Sequence, residues 1–272
     1  PPLTMLGSIK RDKALAVHER HLGIGAEDRS TAQHAASAMA EQLTEIAQSL
    51  PWGKLRIEED SLSQPDVQHE GPRLQGMRIA VAKDAVFSFI YHANMDFLQR
   101  EGATVHYFSP LSDTQLPDCD ALYLPGGYPE LHLETLANNH AMISAIRQHI
   151  EADKPCMAEC GGMLYLLESL SHDERCAPLC GIFPLRAKVN ERLAGLGYQS
   201  LPGTRLRGHS FHYASIVDEP SNADELPRSA YSDGRKGELI LREKRTIASF
   251  VHWYFSSEPQ KICDWLSGKP EL

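Results

Sequence analysis

From Met77 onward, short apolar runs alternate with longer stretches of helical period, and this alternation restricts the chain to few architectures. Ile79-Ala80-Val81-Ala82, Thr104 to Phe108, Ala121 to Leu124 and Pro155 to Glu159 read as strands. One helix is expected before Gly102, which can terminate it, another from His132 to Ala152, and a third after Gly161-Gly162. Strand, helix, strand, strand, helix, strand, helix predicts an α/β fold with a largely parallel sheet covered by helices. Beyond Gly181 strands are favoured, with Ile247 to Phe255 the most apolar of them.

The residues before Met77 read differently. Up to about Ser30 they hold short apolar pieces and the charged run Lys10-Arg11-Asp12-Lys13, without a complete fold pattern. A helix is expected from Ser30 to Leu50, because Met39, Leu43, Ile46, Ala47 and Leu50 recur at the spacing that lines one face, and Pro51 ends it. Residues 51–75 mix Pro, Gly, Ser, Gln and acids with little periodicity, as a linker does. The chain opens on Pro-Pro-Leu-Thr without Met and reads as a piece of something longer.

Charge narrows the function classes. The formal net charge is −9 and no cluster of Lys and Arg appears, so neither a nucleic acid nor a membrane surface is an expected partner. No apolar run reaches bilayer length and the N-terminus lacks the order of a signal peptide, which reads as cytoplasmic. Six cysteines in 272 residues read as free thiols rather than a disulfide framework.

Reactivity concentrates at residues 155–167. Pro155-Cys156-Met157-Ala158 reads as a strand that ends at a corner, Cys160, followed by Gly161-Gly162 and the helix Met163-Leu164-Tyr165-Leu166-Leu167. This is the layout of a nucleophile elbow. A helix N-terminus behind the sulfur favours its thiolate and aims the Gly161 N–H at a developing oxyanion. Leu124-Pro125-Gly126-Gly127-Tyr128-Pro129-Glu130 follows a strand one helix earlier and can bring a second N–H, from Gly127. Each motif alone also fits a buried cysteine at an ordinary turn and a simple Gly-Gly-Tyr-Pro turn; the pairing carries the information. A base is also required, and His252, late in the apolar run, is the candidate, with His209 and His212 as competitors. In a strand, HxxH puts those two rings on opposite faces, which disfavours a metal pair. His172, Cys176 and Cys180, in a loop-like segment without a clear fourth ligand, are not read as a zinc site.

These residues resemble the class I glutamine amidotransferase superfamily, and within it the cobyrinic acid a,c-diamide synthase family. The resemblance is carried by Ser8 to Asp12, Glu19 to Gly23, Asp84 to Tyr91, Leu124 to Glu130, Ala158 to Leu166, Gly208 to Tyr213 and Ala248 to Phe255. It implies a flavodoxin-like glutaminase domain over residues 76–272, preceded by the tail of a P-loop-type ATPase domain over residues 1–50 and the 51–75 linker. It also implies an ATP- and Mg2+-dependent ligase that amidates carboxylates a and c of cobyrinic or hydrogenobyrinic acid with ammonia from glutamine. On that pattern Cys160 carries the glutamyl thioester, His252 activates it, Gly127 and Gly161 form the oxyanion hole, and Tyr128 and Glu130 belong to the glutamine pocket.

Two departures accompany the resemblance. No GxxxxGK[ST] phosphate loop occurs, so no ATP or metal site is expected within these residues. Many relatives place a Glu two residues after the base, whereas here the run is His252-Trp253-Tyr254, which leaves the third member of the triad unassigned. A Cys-His hydrolase without a synthetase partner and a non-catalytic regulatory domain stay open as alternatives, as does a homodimer.

Overall fold

The computed structural model describes residues 7–15, 29–50, 52, 71–217 and 225–269. The chain divides into two compact units, Pro1–Gln68 and His69–Leu272. Most of the expected linker, and the Glu19 to Gly23 motif, lie outside the described residues.

In the first unit, a 3-10 turn at Lys13–Leu15 is followed by helix α1, Arg29–Ser49. The Trp52 indole N–H donates to the Ala47 carbonyl (2.8 Å) just past its end. The expected apolar stripe is only partly covered: Ile46, Ala47 and Leu50 are half-buried, while Met39 and Leu43 are 40% and 47% exposed.

The second unit begins with β1 (Arg78–Ala82), α2 (His92–Arg100), β2 (Thr104–Phe108), β3 (Ala121–Leu124), α3 (Leu133–Asn138), α4 (His140–Glu151), β4 (Cys156–Glu159) and α5 (Gly161–Leu166). It continues with β5 (Leu167–His172), β6 (Arg175–Pro178), β7 (Phe183–Val189), β8 (Gly195–Ser200), β9 (Arg207–His212) and β10 (Ala214–Ile216). The last elements are β11 (Arg228–Tyr231), β12 (Lys236–Glu243), β13 (Thr246–Ser249), β14 (His252–Tyr254) and α6 (Pro259–Leu266).

Ten strands form one sheet in the order β14-β9-β8-β11-β12-β13-β4-β3-β1-β2. The pairings from β2 to β13 are parallel and those from β13 outward to β14 are antiparallel. A second sheet, β10-β7-β5-β6, follows α5. The central strands β1, β3, β4 and β13 are buried almost throughout, which explains their continuous apolar runs: a parallel strand covered on both faces has no polar side to alternate with. One core gathers Leu122, Leu124 and Ala158 with Met142, Ile143, Ile146 and Ile150 of α4. The other gathers Ile79, Val81 and Met157 with Phe97 and Leu98 of α2 and Ile262 and Trp265 of α6. Each such aliphatic side chain contributes about 1.5–3 kcal/mol by leaving water.

Three expectations are corrected. The single helix from His132 to Ala152 is two, because Asn139 interrupts it: its side chain accepts from the Met142 N–H (3.2 Å) and caps α4. The segment from His172 to Cys180 is not simply a loop, since β5 and β6 pair as a hairpin there as far as Pro178, turning at Asp173 with φ 53°. Ile247 to Phe255 is two strands with different neighbours. β13 lies beside β4, whereas β14 lies at the far end of the sheet beside β9. The run is buried nearly throughout, so its apolar pattern carried no mark of the break at Phe250-Val251.

Candidate active site

The strand-to-helix corner is real and strained. β4 ends at Glu159, and Cys160 follows with φ 47° and ψ −107°, a conformation that costs a non-glycine residue about 1–3 kcal/mol. Neighbouring hydrogen bonds hold it: the Cys160 N–H donates to the Ser249 carbonyl (2.8 Å), and the Cys160 carbonyl accepts from the Leu164 N–H (2.9 Å). The corner therefore hangs between β13 and α5.

The Gly127 loop meets this corner from β3. Asp84 builds its support: one carboxylate oxygen accepts the Val86 and Phe87 N–H groups (2.8 and 3.0 Å), and the other accepts the Ser109 hydroxyl and the Leu111 N–H (2.9 and 3.0 Å). The Val86 carbonyl then takes the Tyr128 N–H (3.0 Å), and the Gly126 carbonyl takes the Phe89 N–H (3.1 Å). A Cβ on Gly161 would stand 2.6 Å from the Gly127 carbonyl oxygen and 2.7 Å from its nitrogen. The two peptide units touch, and only glycine fits at that contact.

His252, the first residue of β14, pairs in register with His209 of β9. Its ring lies against Gly126 closely enough that a Cβ there would collide with it. Phe89 packs on it at 4.5 Å between centroids, and His209 stacks on it at 5.1 Å. His209 in turn shares a 2.8 Å hydrogen bond between Nδ1 and the Tyr91 hydroxyl. His212 faces elsewhere: it stacks on Phe250 at 3.8 Å and bonds through Nε2 to Glu238 (3.0 Å). HxxH thus serves two different environments, as strand alternation requires.

Tyr128 is half-buried, and its phenol pKa is raised by burial and then by Cys160 and Glu130. Glu130 is buried in the 3-10 turn Pro129–His132 and acts electrostatically on the Cys160 sulfur. The fold thus gathers Cys160, Gly161, Gly127, His252, Tyr128 and Glu130 at one end of the parallel strands. Cys176 is exposed and Cys180 fully buried, and among the described residues no group of three or more His, Cys, Asp or Glu is placed to hold a metal.

Electrostatics correct one expectation. Burial pushes the Cys160 thiol up to about 12, Glu130 adds to this, and the Gly161 N–H offsets only part of it. Helix α5 is a mere six residues long, so its dipole is too small to overcome the loss of water around the sulfur. Burial, then His209 and His212, hold His252 down to about 3. At rest both groups are held uncharged, a thiol and a neutral imidazole.

Sequence reasoning passed over Glu159, Tyr91 and Phe89. Glu159 is 1% exposed and accepts from the Trp253 N–H (3.1 Å) and the Tyr123 hydroxyl (2.9 Å). Its Oε2 lies 3.9 Å from His252 Nδ1. Burial raises this carboxyl to about 8. The available signal was an acid closing an otherwise apolar buried strand, Cys156-Met157-Ala158-Glu159.

An α/β sheet with a strained cysteine corner, a glycine loop against it and a buried histidine has the parts that cysteine-based acyl transfer uses. The chain belongs to the CobB/CobQ-like glutamine amidotransferase domain family, whose model matches residues 78–260. Among curated relatives, it is 41% identical to hydrogenobyrinate a,c-diamide synthases of Stutzerimonas stutzeri and Pseudomonas aeruginosa, with 93% and 96% of this chain matched. It is 37% identical to the cobyrinate a,c-diamide synthase of Herminiimonas arsenicoxydans over 90% of its length. The chain spans 58%, 59% and 56% of the length of these three relatives. A solved glutamine amidotransferase overlays with a TM-score of 0.49 at 16% identity, covering 70% of this chain and 98% of that one.

Proposed function

We propose that this chain hydrolyses glutamine at Cys160 and supplies the ammonia for an amidoligase acting on carboxylates a and c of cobyrinic or hydrogenobyrinic acid. The observation that carries the hydrolytic part is the strained Cys160 corner, with the Gly127-Gly161 backbone contact on one side and His252 against Gly126 on the other. The names of the relatives support the corrinoid substrate. In this reading residues 1–50 are the tail of an ATP-dependent domain, 51–75 a linker and 76–272 the glutaminase. Nothing among the described residues fits ATP or Mg2+, since the sequence has no GxxxxGK[ST] and no acid or imidazole cluster forms. Glutamine hydrolysis needs neither. The six free cysteines agree with a reducing cytoplasm, and no helix among the described residues is long and apolar enough to cross a membrane.

The steps follow from the pair's resting charges. Cys160 Sγ attacks the glutamine carboxamide carbon while its proton passes to His252, and the C=O electron pair becomes an oxyanion facing the Gly127 and Gly161 N–H groups. The oxyanion collapses, the C–N bond breaks, and His252 returns the proton to the leaving nitrogen, which departs as ammonia. Water then attacks the thioester with His252 taking its proton, and the sulfur leaves and is reprotonated as glutamate is released. Tyr128 and Glu130 belong to the glutamine pocket in this reading, supported by their electrostatic interaction with Cys160.

The test is glutamate release by the full-length protein with ATP and corrinoid present. Cys160→Ser is expected to lower kcat by at least about 10³-fold and to abolish the covalent glutamyl adduct, which wild type traps on acid quench. Release at the parent rate by the Ser variant sinks the assignment.

A further inference from the structure

We propose that Glu159, the residue immediately before the nucleophile, is the acid partner that positions His252. The inference rests on the reading of Cys160 and His252 as the hydrolytic pair, and it fills the triad place that His252-Trp253-Tyr254 leaves without an acid.

Three observations converge. His252 Nδ1 is buried and without a hydrogen-bond partner, and Glu159 Oε2 stands 3.9 Å from it. A buried ring nitrogen with nothing to bond is costly, so it points to a partner that closes in when the site is filled. Second, Glu159 is held for this task rather than consumed by others. The Trp253 N–H takes Oε1 and the Tyr123 hydroxyl takes Oε2, one bond each, and a carboxylate oxygen accepts two. Glu238, a half-buried acid on the His212 side of β9, is already bonded to His212 and Gln199. Third, the ring is clamped between Phe89, His209 and Gly126, which leaves movement of about 1 Å along the Nδ1–Oε2 line as the simplest closure.

The local architecture explains why the acid can sit beside the nucleophile in sequence. Glu159 ends β4 facing the Met157 core, toward Tyr123 of β3 and Trp253 of β14, while the reversed turn at Cys160 sends the sulfur to the Gly127 loop. The carboxyl thus approaches the imidazole on its Nδ1 edge. With Glu159 ionised, the imidazole proton sits on Nδ1 and the Nε2 lone pair is free. When the thiol proton arrives at Nε2 as the C–S bond forms, the imidazolium is made against a carboxylate; the same proton then leaves with ammonia. With Glu159 protonated, its O–H donates to Nδ1, the imidazole proton is displaced to Nε2, and no base faces the thiol. The groups facing Glu159 are Tyr123, Tyr91, His252 and Cys160; His209 stacks on His252, and His212 acts on it only electrostatically, from the other face of β9.

The test is the pH dependence of kcat and KM for glutamine hydrolysis in the full-length protein, for wild type, Glu159→Gln, Glu159→Asp and Cys160→Ser. The Gln variant keeps an acceptor for the Trp253 N–H, and thermal melting reports whether its fold is kept. Expected for Glu159→Gln is a kcat lower by about 10²–10⁴-fold, a KM within about threefold of wild type, and loss of the acid limb of the kcat profile. The Asp variant regains at least about tenfold of that loss and keeps an acid limb. A folded Gln variant with kcat within about threefold and an unshifted limb overturns the proposal. Should the Gln variant not fold, the Asp variant decides by the position of its limb: a limb shifted from the wild-type pH is expected, and an unshifted limb overturns the proposal equally. If wild type and Cys160→Ser release glutamate alike, the hydrolytic reading itself fails, and the Glu159 assignment falls with it.

Discussion

At Gly161, a single missing methyl group connects the backbone of two loops. Because a Cβ there would stand 2.6–2.7 Å from Gly127 backbone atoms rather than from a flexible side-chain end, neither partner can yield without moving the nucleophile. Gly161→Ala is therefore expected to destabilise the protein by about 1–3 kcal/mol and to reduce glutamate release by at least about 10²-fold, with the two effects separated by urea denaturation and steady-state kinetics. Cys160, Gly161 and Gly127 were all legible in the sequence, because an elbow and a paired glycine loop require small residues at fixed places. The charge state of Cys160 was not. A motif announces the helix behind a sulfur, but neither the six-residue length of that helix nor the walls that remove its water.

Among the connecting elements, the loop from Asp84 to Phe89 does more than join β1 to α2. Four donors converge on the Asp84 carboxylate, and the segment so fixed carries the Val86 carbonyl that holds Tyr128 and the Phe89 ring that packs on His252. Asp84→Ala is expected to cost about 2–4 kcal/mol in urea unfolding and to lower kcat by about tenfold or more, since the Gly127 loop and the imidazole lose one common support. In the sequence this stretch was visible only as part of a family resemblance, and its chemistry was hidden because its bonds run to a side-chain hydroxyl 25 residues away and a backbone N–H 27 residues away as well as to its own turn. The strands of the parallel half were read close to their observed limits for the opposite reason: β1, β3 and β4 are short, buried apolar runs between polar turns, and the more exposed β2 at the sheet edge shows as a β-branched and aromatic run. The split between β13 and β14 escaped because burial continues across it.

For the whole molecule, the buried imidazole links the site to stability. His252 is held down to about 3 in the folded state, so on acidification the unfolded chain binds a proton that the folded one refuses. Stability therefore falls as pH drops from about 6.5, the ordinary histidine value, toward 3. Glu159, raised to about 8, acts oppositely: its contribution is full below the ordinary carboxyl value and is lost as pH rises through about 8. Replacing His252 with Gln is expected to flatten the wild-type loss of unfolding free energy between pH 6.5 and 4, measured by urea titration at each pH; an unchanged slope would exclude it as a source. The arrangement of strands has one more outcome. Cys160 leaves the ribosome 92 residues before His252, and at 5–20 residues per second that is roughly 5–20 s. Throughout that interval the nascent chain carries the Cys160 sulfur without the His252 imidazole, and β14 can dock only after β9, β8, β11, β12 and β13 exist to lead it round. If Cys160 and His252 act as proposed, the last strand is an arming step, and glutamine meets a reactive thiol only in a finished sheet.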